Sequence, residues 1–219
     1  MTAFRTGLFI QARMSSARFP GKVLNTLRGH PLLEWSVRRA RRVASEAVVA
    51  VLTGEIQAND PIRDWCRKYA VPCFSGSEED VLGRYASAVR HFDVDTVVRL
   101  TADNPLFDVG WCRTLLAAHR EARADYSSCK AEAGSRLPEG VGSEVFTAEL
   151  LEDLDRKTLS ASDREHVNEY VLRNKDAFRV LVLGAETPLE SAPSLTIDTP
   201  EDLERVEAFV CRRGITLPR

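Results

Sequence analysis

Short apolar runs rich in β-branched residues recur along the chain: GLFIQA at 7–12, AVVAVLT at 47–53, VPCFSG at 71–76, TVVRLTA at 96–102 and FRVLVLG at 178–184. Between them, near 31–45, 59–70, 78–92 and 109–123, the apolar positions fall three and four apart. The short runs predict strands and the wider spacing predicts amphipathic helices. Their alternation predicts βαβ units, hence an α/β fold with a doubly wound, mostly parallel sheet covered on both faces. Two more helices are predicted at 147–156 and 161–175. The last helix begins in DTPEDLERVEAFVCRR, where Thr199 suits the N-cap, Pro200 the first helical position, and Asp202 completes a capping-box pattern. The alternation fails between Ser127 and Gly142, in SSCKAEAGSRLPEGVG, and 127–146 is expected to project as a hairpin arm or lid.

The 219 residues fit one domain, taken as 1–219. A net charge of -2 supplies no global field toward nucleic acid or an anionic membrane, so anion binding must be local. No apolar run approaches the roughly 18–20 residues of a membrane span. The N-terminus lacks a signal peptide's apolar core, and a cytoplasmic protein without membrane or nucleic-acid partners is expected. Cys66, Cys73, Cys112, Cys129 and Cys211 are scattered without CxxC spacing and read as reduced thiols.

In open parallel sheets, ligands bind beyond the carboxyl ends of the strands, and the first strand-to-helix loop is the usual phosphate contact. Here that loop is QARMSSARFPGK, Gln11 to Lys22. It matches neither GxxxxGK[ST] nor GxGxxG, which disfavours a P-loop kinase or a dinucleotide dehydrogenase. It does bring Arg13, Arg18 and Lys22 together with two serines, a set suited to a polyphosphate. Downstream, VVRLTADNPLFD places Asp103 where a central strand leaves the sheet, and SLTIDTPEDL repeats the arrangement, with Leu195 to Ile197 as strand and then Asp198. Two such carboxylates can share one Mg2+ with phosphate oxygens and water. Together with the cationic loop they describe a nucleoside-triphosphate site.

Other positions carry plainer readings. Ser77 is expected to N-cap a helix whose first turn holds the acids Glu78 to Asp80, and Arg84 can turn inward from it. His166 falls on a helix beside apolar positions. Arg38, Arg39, Arg41 and Arg42 read as a solvated face, because aromatic interleaving is missing.

With QARMSSARFPGKVL, GSEEDVLGRY, RLTADNPLFD, LPEGVGSEVF, REHVNEYV and LTIDTPEDLERV in order along nearly the whole chain, the sequence resembles cytidylyltransferases of the spore-coat-polysaccharide and acylneuraminate type, related to CMP-Kdo and CMP-sialic acid synthetases. The resemblance implies a nucleotide-diphospho-sugar-transferase-like, Rossmann-like fold and a homodimer. It assigns Ala12, Arg13, Ser15, Ser16, Arg18, Lys22, Ser77, Arg84 and Thr101 to CTP, with Arg13, Lys22 and Asp103 catalytic. Asp103 and Asp198 would hold Mg2+, and Glu144 and His166 would face the acceptor, either being a candidate general base. Two departures fall in the acceptor half: Gly142 where the family commonly has an acid, and Asn168 where it commonly has Thr.

The reaction so implied is Mg2+-dependent transfer of CMP from CTP to an acidic, nonulosonic- or octulosonic-type sugar for surface polysaccharide or glycoconjugate synthesis, releasing pyrophosphate. Positioning and electrostatics carry such chemistry, so the absence of a nucleophilic triad is expected. Alternatives are nucleotidyl transfer to a sugar phosphate, a polyol phosphate or a molybdenum cofactor, and a non-catalytic CTP-binding module. A glycosyltransferase is a weaker fit, because TADNP holds one Asp where a DxD-like pair is usual.

Overall fold

β-Branched and apolar residues fill the strands of a seven-stranded sheet because both faces of that sheet are buried. The computed structural model describes residues 5–157, 159–185 and 193–218. In chain order the elements are β1 (Thr6–Gln11), the two-residue strands β2 (Thr26–Leu27) and β3 (His30–Pro31), α1 (Leu32–Ala40), β4 (Val48–Gly54), α2 (Asp60–Lys68), β5 (Cys73–Gly76), α3 (Val81–Phe92), β6 (Thr96–Thr101), α4 (Val109–Glu121) and β7 (Tyr126–Ser128). Then follow β8 (Glu144–Thr147), α5 (Ala148–Asp155), α6 (Ala161–Glu165), α7 (Glu169–Arg173), β9 (Val180–Val182) and α8 (Pro200–Arg213).

The sheet runs β5-β4-β1-β6-β8-β7-β9, and β2 and β3 pair separately. Within the seven-stranded sheet only β8 is reversed: it pairs antiparallel with both β6 and β7, whereas the other pairings of that sheet are parallel. Successive residues of β1 serve opposite faces. Leu8 and Ile10 pack with Leu33, Val37, Ile62 and Leu115 from α1, α2 and α4. Phe9 packs with Leu82, Tyr85, Val89 and Leu151 from α3 and α5. A third cluster seats α8, with Val206 and Val210 against Leu27, Trp35, Leu106 and Ile197. Chain order reverses about β1, from which the sheet grows first to β4 and β5 and then to β6 on the other side. The loops after β1 and β6 therefore border the crevice where such sheets bind ligands.

The doubly wound α/β class and its five anticipated strands are present, and four details differ from expectation. Segment 127–146 is no projecting arm: its ends are β7 and β8, and Cys129, Ser135, Leu137 and Ser143 between them are buried. Gly142 permits this, since a Cβ there would stand 2.3 Å from Cys129 O and 2.7 Å from Lys130 Cα. The helix anticipated over 161–175 breaks at His166–Asn168 into α6 and α7. Leu195–Ile197 is not a strand; it is tied down by Leu195 N–H donating to Glu139 O and Ile197 N–H donating to Asp103 O. Asp80, rather than Ser77, caps α3, accepting from Gly83 N at 2.9 Å, while Ser77 Oγ accepts from Asp80 N. The capping box at Thr199 and Asp202 forms as expected.

The five cysteines are free thiols. Arg39 is not on a solvated face: its Nε donates to Phe107 O at 2.9 Å. No helix of the described residues is long and apolar enough to cross a membrane.

Candidate active site

At the carboxyl ends of β1 and β6 a cleft of about 310 Å³ opens, lined by the loop after β1 together with Thr101, Asp103 and Asp198. Lys22 lines it beside both acids. Its Nζ donates to Asp103 Oδ2 at 3.1 Å and to Asp198 Oδ1 at 2.7 Å, and its side chain is only 9 % exposed. Arg18, on the rim, reaches Asp198 Oδ2 at 2.7 Å. Burial would raise the Asp103 carboxyl above the ordinary carboxylate range, but the Lys22 charge and a Thr101 hydrogen bond outweigh it and hold it below. Asp103 comes from the loop after β6, and Asp198 is delivered by the extended chain before α8 that Ile197 N–H ties to Asp103 O.

The loop is fastened from behind. Asn59, fully buried, accepts Met14 N–H at 2.8 Å and donates through Nδ2 to Glu78 Oε2 at 2.7 Å. Glu78 Oε1 in turn accepts the Ser15 hydroxyl at 2.6 Å. The Glu78 carboxylate fits because residue 54 is glycine: a Cβ there would lie 1.6 Å from Glu78 Oε2. Ser15 has thus committed its O–H to Glu78, whereas Ser16 Oγ accepts from Phe19 N and keeps its proton for a ligand.

A second cleft, of about 580 Å³, adjoins the first and shares Gln11, Thr101, Asp103 and Asp198 with it. Arg99, Lys130, Glu132, Glu139 and His166 line its remaining walls. Beneath its floor lies Glu144, fully buried, which accepts from Arg99 NH1 at 2.6 Å and from Tyr126 Oη at 2.6 Å, with Lys130 Nζ at 3.1 Å. Burial alone would raise the Glu144 carboxyl; the Lys130 and Arg99 charges and the Tyr126 hydrogen bond override it and hold it at about 2. Asn168 Nδ2 donates to Glu132 Oε1 at 3.0 Å.

Of the positions anticipated from sequence, Ala12, Arg13, Ser15, Ser16, Arg18, Lys22, Thr101, Asp103 and Asp198 line the first cleft and His166 the second. Three do not meet a cleft. Ser77 is exposed beside α3. Arg84 is 2 % exposed; its NH1 donates to Ser77 O at 2.5 Å, behind the loop rather than in the cleft. Glu144 is sealed beneath the second cleft and ion-paired, so it cannot serve as a general base. Sequence reading missed Gln11, Asn59, Glu78, Arg99 and Lys130, whose roles arise from contacts between distant segments. Glu78 carries a partial signal, as an acid in the GSEED stretch, where its position before α3 equally suits a complement to the helix dipole.

Among the described residues, no group of three or more His, Cys, Asp or Glu side chains could hold a metal ion. Asp103 and Asp198 nevertheless meet at a single ammonium, so both carboxylates reach one small volume. That pair fits a Mg2+ that arrives with phosphate oxygens and water completing its shell.

A family model described as Cytidylyltransferase matches residues 8–215. The chain is 34% identical over 212 residues to the spore coat polysaccharide biosynthesis protein SpsF of Bacillus subtilis, covering 94% of this chain and 86% of that protein. It is 28% identical over 244 residues to a 3-deoxy-manno-octulosonate cytidylyltransferase of Anaeromyxobacter, covering 94% and 97%. The solved structure of a cytidylyltransferase from Leptospira borgpetersenii superposes with a TM-score of 0.88 at 30% identity, over 96% of this chain and 88% of that one.

Proposed function

The chain belongs to the cytidylyltransferase family, and from that premise we propose that it transfers CMP from CTP to a hydroxyl of an acidic sugar, releasing pyrophosphate, in the synthesis of a surface polysaccharide or glycoconjugate. The observation that carries this reading is the Lys22 ammonium held between Asp103 and Asp198 at the seam of two adjoining clefts, one for nucleotide and one for acceptor. Names borne by relatives support it: an octulosonate cytidylyltransferase uses an acidic sugar, and SpsF belongs to polysaccharide synthesis.

In this reading Arg13, Ser16, Arg18 and Lys22 take the phosphates of CTP. Asp103 and Asp198 hold Mg2+, which when bound offsets charge on the phosphates and the leaving pyrophosphate. The acceptor hydroxyl oxygen forms a bond to the α-phosphorus. The bond from that phosphorus to the oxygen bridging the β-phosphate breaks, its electron pair leaving on pyrophosphate. His166, lining the acceptor cleft, takes the hydroxyl proton.

The test is pyrophosphate release with CTP, UTP, ATP and GTP against a panel of nonulosonic and octulosonic acids, with Mg2+ and with chelator. CTP-selective, Mg2+-dependent release with an acidic sugar is expected. Release from none of these acids, with turnover of a sugar phosphate or polyol phosphate instead, would replace the acceptor class. Tight CTP binding with no release from any acceptor would make the chain a nucleotide-binding module.

A further inference from the structure

A nucleotide in the first cleft and an acceptor in the second must bring the transferred phosphorus to the seam, where Gln11, Thr101, Asp103 and Asp198 line both. Three of these side chains are already engaged there: Asp103 and Asp198 by Lys22, and Thr101 Oγ1 by Asn104 Nδ2 at 2.9 Å. Gln11 differs. Its Oε1 accepts from Arg99 NH2 at 3.2 Å. Arginine carries only donors, so the oxygen of the amide must face Arg99 and the Nε2 hydrogens point away from it. Among the described residues no group accepts from Nε2, which leaves those hydrogens to the clefts that Gln11 lines.

Arg99 is itself immobilised. It is 8 % exposed, and its NH1 is bonded to the fully buried Glu144, which Tyr126 and Lys130 also grip. Because Glu144 is sealed from solvent and bonded through both oxygens, it holds the NH1 end of Arg99 and so fixes the direction in which the Gln11 amide points. A neutral donor also suits the place. A cation beside Asp103 and Asp198 pairs with them, as Lys22 does with both and Arg18 with Asp198, while an amide offers hydrogen bonds without being drawn into that pairing.

We propose that Gln11 is a catalytic residue whose Nε2–H donates to a non-bridging oxygen of the α-phosphoryl group as charge builds there during transfer, with Arg99 and Glu144 as positioning residues that aim it. Under the nucleotidyl transfer proposed above, on which this assignment rests, Gln11 neither gives nor takes a proton. It stabilises the group passing from pyrophosphate to the acceptor oxygen, and its contribution is larger in the transition state than in bound CTP.

The experiment begins with wild-type protein. CTP binding by calorimetry and pyrophosphate release are measured with the fastest acceptor of the panel, or with water as acceptor if none turns over. Gln11→Met keeps similar length and removes the donor. It should lower kcat about 100-fold while the Kd for CTP changes by no more than ~2-fold. Arg99→Lys keeps the charge facing Glu144 but cannot bond Glu144 and Gln11 together in a fork, and it should lower kcat in the same direction. The double variant should be no slower than Gln11→Met alone, because Arg99 acts through Gln11. A normal kcat in Gln11→Met, a loss of CTP affinity equal to the loss of rate, or a double variant as slow as the product of the two single effects would each overturn the assignment. Failure of the underlying reading shows separately, as wild-type protein that takes up no CTP.

Discussion

Lys22 Nζ donates to Asp198 Oδ1 across 2.7 Å, joining residues 176 apart in the chain, and the same ammonium also holds Asp103. One buried cation thereby draws together two carboxylates that would otherwise repel each other. Lys22→Ala or Asp103→Asn should lower kcat by roughly 100-fold or more while circular dichroism stays native. Normal rates in both variants would remove Lys22 and Asp103 from the chemistry. Arg18→Ala supplies the contrast. Its side chain is 66% exposed, so it should weaken CTP binding without a measurable change in melting temperature.

Glu144 ties acid stability to the walls of the second cleft, through Arg99 and Lys130. Its folded carboxyl is depressed from 4.5 to about 2, so the stability it contributes is complete above its unfolded value and is lost as pH falls from about 4.5 toward 2. That contribution is on the order of 3 kcal/mol. Urea titrations at several pH values should show wild-type stability falling along this limb. Glu144→Gln should be less stable at neutral pH and flatter below 5, since it leaves Arg99 and Lys130 without their buried counter-charge. Parallel curves for the two proteins would contradict the linkage.

Asn59 fastens the loop after β1 to β4 and to Glu78. Asn59→Ala strands the Met14 N–H and the inner oxygen of Glu78, and is expected to cost about 1–3 kcal/mol in chemical denaturation. CTP affinity should fall further than that of Arg18→Ala, because the whole loop and not one contact is released. Calorimetry of the two variants side by side checks the order.

At Gly142 the expected family acid has no room. A side chain there drives into the backbone of Cys129 and Lys130, so Gly142→Asp should destabilise by about 1–3 kcal/mol through overpacking, without improving turnover. A variant that melts normally and gains activity would show that the backbone here yields and that the acid was simply missing.

Much of this was legible in one dimension. A strand buried on both faces must be apolar throughout, which is why GLFIQA and TVVRLTA stand out, and a helix cap is written in adjacent letters, as at Thr199 and Asp202. The basic loop after the first strand and the two acids that answer it could be picked out because their positions follow from those strand and helix ends. β7 and β8 could not. Tyr-Ser-Ser and Glu-Val-Phe-Thr carry too little pattern to stand out, and they are strands because the sheet edge beside β6 accepts them.

The amino-acid order by itself determined the α/β layering and set the basic loop after β1, Asp103 after β6 and Asp198 before α8, since each depends on neighbours a few positions away. Only the tertiary structure decided that Glu144 is sealed as a counter-ion instead of serving as a base, that Ser15 is bound to Glu78, and that the Gln11 amide oxygen faces Arg99. The reason is physical. Whether a polar side chain is free or spent depends on which partner strand order brings beside it, and those partners lie 45 residues away for Arg99 and Glu144, 63 for Ser15 and Glu78, and 88 for Gln11 and Arg99.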